Sequence, residues 1–159
     1  MRLTSSAFMQ SERIPDRFTG VGDDLSPPLQ WTDVPEGTKE FALICDDPDA
    51  PTEEPWVHWV LYGLSPTLTG LPEGIPRELT VTAPVSVIQG KNSWPTGTAI
   101  GYQGPEPPKG HGVHRYYFVL YALDRSLNLR SGATKAALLE AMDGYVLDKA
   151  ELLGTYEVR

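Results

Sequence analysis

Gly104-Pro105-Glu106-Pro107-Pro108-Lys109-Gly110-His111-Gly112-Val113-His114-Arg115-Tyr116 runs directly into Tyr117-Phe118-Val119-Leu120-Tyr121-Ala122-Leu123, and this junction decides how the chain folds. Proline fixes φ and gives a loop its shape before anything binds. The apolar run that follows, rich in aromatic and β-branched residues, reads as a strand over 115–124. A stiff polar loop is thus mounted on a core strand, the usual footing of a binding site. The same construction recurs upstream, where Phe41-Ala42-Leu43-Ile44-Cys45 leads into Asp46-Asp47-Pro48-Asp49-Ala50-Pro51. Neither apolar run alternates with polar residues, so both are expected at the centre of a sheet, covered on two faces.

Further β-rich runs at 30–31, 56–62 and 85–88, punctuated by proline and glycine, extend the pattern to a sandwich or mixed sheet pair. Helical spacing is confined to the C-terminal part. Ala133, Ala136, Ala137 and Leu139 predict a helix over 133–142. Val146, Leu147, Ala150 and Leu153 predict a second over 145–153, with Gly144 and Gly154 as stops. Residues 155–158 are expected as a closing strand. No repeat or linker divides the chain, so residues 1–159 read as one domain, mainly β with two short C-terminal helices.

At 159 residues the chain is long enough to bury roughly two-thirds of its unfolded surface. Its 21 acidic and 13 basic residues give a net charge of −8, with no Lys/Arg cluster. That disfavours nucleic acid and anionic membranes as partners. The apolar runs fall short of the ~20 residues of a membrane-spanning helix, so no stable membrane insertion is expected. One cysteine, Cys45, leaves no internal disulfide, and no secretory leader pattern opens the sequence; the expected location is cytoplasmic.

A strand's period of two places Trp56, His58 and Val60 on one face, and His114, Tyr116 and Phe118 on another. If these faces meet the carboxylates of Asp47 and Asp49, they enclose a pocket. A carboxylate accepting from an imidazole favours the imidazolium. Protonated His58 or His114, the Tyr116 hydroxyl and loop amides over 104–108 would then donate to an anion, and a cationic group on the same ligand would offset the carboxylates. Against this stands the plainer reading of His58 as a satisfied core residue, His111 as exposed loop, Cys45 as a buried hydrophobe, and the aspartates as turn residues. Gly110-His111-Gly112 lacks the third glycine of a dinucleotide loop and precedes a strand rather than a helix. A metal site of His58, His114 and Asp47 is geometrically conceivable, yet no metal or cofactor is expected.

The segments Leu25-Ser26-Pro27-Pro28-Leu29-Gln30-Trp31, Asp47-Pro48-Asp49-Ala50-Pro51, Trp56-Val57-His58-Trp59, Gly101-Tyr102-Gln103-Gly104-Pro105-Glu106-Pro107-Pro108, His114-Arg115-Tyr116 and Leu152-Leu153-Gly154-Thr155-Tyr156 follow one another in an order that resembles the phosphatidylethanolamine-binding protein family, in its bacterial and archaeal Raf-kinase-inhibitor-like branch. The resemblance implies a large central antiparallel sheet packed with a smaller one and C-terminal helices. It implies a small cavity for phosphate or a phosphoethanolamine head group, with Asp47, His58, Pro107, Pro108, His114 and Tyr116 at pocket positions and Trp56, Ala50, Pro51 and Gly104 lining it. It also implies cis peptides at Asp47-Pro48 and Glu54-Pro55, and a homodimer. Two positions depart from the family pattern. Glu106 stands where relatives carry Gly or Cys, adding a carboxylate at the rim, and Tyr145 stands where prokaryotic members often carry histidine.

The function expected is binding of a small anionic or zwitterionic ligand without catalysis. Two other readings belong to different classes. One is a regulator that binds a protein partner such as a kinase or protease; the other is a hydrolase using His114 with Asp47 as an acid/base pair.

Overall fold

The computed structural model describes residues 1–95 and 99–159. Its elements are β1 (Arg2–Thr4), a 3-10 turn (Asp16–Phe18), β2 (Leu29–Thr32), β3 (Glu40–Asp47), β4 (Trp56–Leu64), β5 (Gly70–Leu71), β6 (Thr80–Val81), β7 (Val87–Gln89), β8 (His114–Leu123), α1 (Lys135–Met142) and β9 (Val146–Tyr156). All strand pairings are antiparallel, in a three-stranded sheet ordered β1-β2-β5 and a six-stranded sheet ordered β6-β7-β4-β3-β8-β9. The two runs without polar alternation, β3 and β8, are neighbours inside the large sheet, as their composition requires.

Alternate residues of these strands enter two cores. Phe41, Leu43, Cys45, Phe118 and Leu120 pack with Trp31 and Leu29 of the small sheet. Ala42 and Ile44 turn the other way, against Leu138 and Met142 of α1. Phe41, Leu43 and Phe118 have no exposed surface, and each such burial contributes about 1.5–3 kcal/mol. The helix is capped by Thr134, whose hydroxyl accepts from the Ala137 amide at 3.1 Å, and Gly144 follows it at φ +83°.

The second expected helix is instead the edge strand β9, paired with β8 from His114↔Tyr156 to Leu123↔Val146. Its buried residues, Ala150, Leu152, Gly154 and Tyr156, alternate. The apolar spacing of Val146, Leu147, Ala150 and Leu153 fits a helix locally, but β8 needs a partner along its length, and tertiary pairing overrides the local pattern. Gly154 is not a stop: a Cβ there would lie 2.5 Å from Ile14 Cγ1 and 2.9 Å from Phe8 Cε2, so the strand needs glycine for close approach. The expected cis bonds are also corrected, since Asp47-Pro48 and Glu54-Pro55 are trans and the cis peptide among the described residues is Ala83-Pro84.

Candidate functional site

The C-terminal end of β3 and the N-terminal ends of β4 and β8 lie together, because β3 runs antiparallel to both neighbours. Each end carries a candidate: Asp47 on β3, Trp56 and His58 on β4, His114 and Tyr116 on β8. These residues surround a cavity of about 240 Å³, whose wall is completed by Ala50, Pro51, Thr52, Trp94, Glu106, Pro107 and Pro108.

A β-bulge sets the position of His58. Pairing steps from Cys45↔Trp59 to Asp46↔Val57, leaving His58 as the extra residue. The bulge lets the consecutive residues His58 and Trp59 both face the inter-sheet side. Trp59 fills the larger core, and the His58 ring stands edge-on to Tyr116 at 5.1 Å and to Trp94 at 5.0 Å. Val60 therefore falls on the opposite side with Ala42 and Ile44, so the expected Trp56-His58-Val60 face is broken after His58.

The two histidines have different partners. Nδ1 of His114 lies 2.6 Å from Oδ2 of Asp47. Asp47 and His114 are 3% and 2% exposed, so this polar pair is almost fully withdrawn from water. The other Asp47 oxygen accepts the Asp49 amide at 2.7 Å. His58 does not meet Asp47. Its Nδ1 lies 2.5 Å from the Gln103 carbonyl, which can only accept, and burial brings its pKa down to about 4. His58 is accordingly neutral near pH 7 and presents its other nitrogen as an acceptor, not the cationic donor the sequence reading considered. Burial, reinforced by Asp47, pushes the Tyr116 hydroxyl pKa well up, so it stays a neutral donor.

Two further expectations change. Asp49 turns from the cavity to Arg115, which binds it through Nε at 2.9 Å, Nη2 at 2.8 Å and the backbone amide at 2.9 Å, ties the loop after β3 to β8, and keeps the Asp49 carboxyl below the usual range. Gly104 lies outside the lining; its amide donates to Asp24 Oδ1 at 2.8 Å. Since Pro105, Pro107 and Pro108 have no N–H, the proline-rich loop supplies shape more than donors. Glu106 does line the cavity, its carboxylate resting on Gly20, where a Cβ would come within 2.5 Å of Oε2. Among the described residues no Lys or Arg is in the wall, and both Asp47 oxygens are engaged, by His114 and by the Asp49 amide.

Sequence reasoning missed Thr52 and Trp94, and took His111 only as exposed loop. Trp94 reaches the cavity because the Ser93 hydroxyl and amide bond Val57 of β4 at 2.7 and 2.8 Å; a tryptophan between serine and proline in a loop was the available signal. Nδ1 of His111 lies 2.6 Å from Nε2 of His114. Tyr145 is at the far end of β8, under the Arg125 guanidinium. Among the described residues, no group of three or more His, Cys, Asp or Glu is placed to hold a metal ion, and no helix is long and apolar enough to cross a membrane.

Comparison with known proteins covers the whole of this framework. The family model for phosphatidylethanolamine-binding proteins matches residues 4–157. The UPF0098 protein of Methanothermobacter thermautotrophicus is 49% identical over 98% of each chain. A phosphatidylethanolamine-binding protein homologue from Chlamydia trachomatis superposes with a TM-score of 0.86 at 44% identity, covering 99% of this chain and 97% of its own. Escherichia coli YbcL, described as a member of the mammalian family, gives 0.88 at 32% identity, with 99% and 98% coverage.

Proposed function

The chain belongs to the phosphatidylethanolamine-binding protein family, and from that premise we propose that its cavity binds a small zwitterionic head group of the phosphoethanolamine kind without chemical conversion. The observation that carries the reading is the buried His114–Asp47 pair in a wall of aromatic rings that holds Glu106 but no Lys or Arg. A phosphate oxygen suits the Tyr116 hydroxyl and the His114 imidazole, whose other nitrogen is held by Asp47. An ammonium group suits Glu106 and the indole faces of Trp56 and Trp94. A phosphate dianion alone would leave Glu106 without a cationic partner. The same reading takes the protein to be cytoplasmic and homodimeric.

Titration calorimetry with phosphate and phosphoethanolamine tests this. Phosphoethanolamine should bind tighter, His114→Ala should abolish the heat, and Glu106→Gln should narrow the gap by strengthening phosphate and weakening phosphoethanolamine. Absence of binding to the wild type, or equal binding by His114→Ala, overturns the proposal. The His114–Asp47 pair also has the form of a general base with its orienting carboxylate, which favours hydrolysis as a second reading. Flat activity across phosphoester and ester substrates would remove it.

A further inference from the structure

Both ring nitrogens of His114 are occupied in the free protein. Nδ1 donates to Asp47, since a carboxylate accepts, and in the neutral ring Nε2 then accepts from Nδ1 of His111 at 2.6 Å. Nε2 is the one atom of His114 left for a ligand, and another side chain of the same protein holds it. We propose that His111 is an internal ligand of His114, keeping the place at Nε2 that an incoming oxygen takes and leaving when that oxygen arrives. The inference rests on the reading of the cavity as a small-ligand site.

The segment bearing His111 lies in open space. Gly110 and Gly112 flank it at φ +76° and +90°, where a Cβ on either would meet nothing within 4 Å. His111 is itself exposed, and the backbone here is held by the His111 amide on the Pro108 carbonyl at 3.0 Å and the Gly110 amide on the Val158 carbonyl at 2.8 Å. Swinging the imidazole out breaks one side-chain hydrogen bond and returns a polar ring to water. His114 cannot follow, being buried in β8 and fixed by Asp47. The incoming oxygen takes this place either as a P–OH that donates to Nε2 or, as a bare oxygen, with uptake of one proton at Nε2; one hydrogen bond is exchanged for another at the same nitrogen, and affinity is lowered by the strength of the one lost.

Calorimetry with inorganic phosphate and with phosphoethanolamine on wild type, His111→Ala and His114→Ala tests the idea, with imidazole nitrogen NMR as a second readout. His111→Ala should bind both probes about five- to tenfold tighter, the worth of one ordinary hydrogen bond. On saturation of the wild type, the His111 Nδ1 and His114 Nε2 signals should move together as their bond breaks. Unchanged or weaker affinity in His111→Ala, or a His111–His114 bond intact in the saturated protein, overturns the proposal. Should the wild type bind and His114→Ala not, while His111→Ala matches the wild type, this inference alone fails; should no variant bind either probe, the ligand-site reading falls with it.

Discussion

His58 shows how burial, rather than residue type, sets a side chain's role. The imidazole is 3% exposed and its pKa lies at about 4, against 6.5 for an unperturbed ring, because desolvation penalises the cation more than the Gln103 carbonyl favours it. The unfolded chain thus takes up a proton that the folded chain resists. His58's contribution to stability is complete above about pH 6.5 and is lost as pH falls toward 4, with a maximum of about 3 kcal/mol. Denaturant unfolding between those limits should show the decline in the wild type and a flatter curve in His58→Gln, which keeps a donor for the Gln103 carbonyl. An equally steep decline in the variant contradicts the assignment.

At the scale of elements, β4 and β9 mark where local pattern stops being informative. In β4 one extra residue at the bulge turns His58 into the cavity and Val60 out of the expected face. No residue type in Trp56-Val57-His58-Trp59 announces a bulge, because it follows from register against β3. In β9 the helical spacing was real but subordinate to the long ladder with β8. Gly154 tests that assignment directly. Gly154→Ala sets a methyl against Ile14 and Phe8 inside the core and should cost about 1–3 kcal/mol, as overpacking does, measured as a fall in denaturant midpoint without a change in slope. A neutral result would mean the strand does not lie so close to those side chains.

Across the whole molecule, Cys45 reports on the integrity of the two-sheet core. It sits on β3 at 1% exposure, and burial pushes its thiol pKa well up, the Asp46 and Asp47 carboxylates adding to this. Thiolate is the reactive form, so an aromatic disulfide reagent near pH 8 should label Cys45 only as fast as the core opens. Labelling should become rapid in denaturant and slow further when a cavity ligand saturates the protein. Labelling of the native protein at the rate of a free thiol would contradict the placement. Trp59, Tyr116 and Phe118 share the inter-sheet core with Cys45, so the wall of the cavity and the core of the fold are one structure, and ligand affinity and global stability should rise together.

Apolar runs without polar alternation were enough, read from the sequence, to place Phe41-Ala42-Leu43-Ile44-Cys45 and the strand after His114 at the centre of a sheet, because only burial on both faces tolerates such composition. The ordered segments around Asp47, His58, Pro107 and His114 likewise marked the cavity, and all of these residues line it. Which histidine meets Asp47, the turning of Asp49 to Arg115, the exclusion of Gly104 from the wall and the hold of His111 on His114 were decided by tertiary structure. Each depends on register, on a bulge or on the approach of segments distant in sequence. Periodicity records only which side of its own strand a residue faces, whereas hydrogen-bond partners and charge are set by what another part of the chain brings opposite.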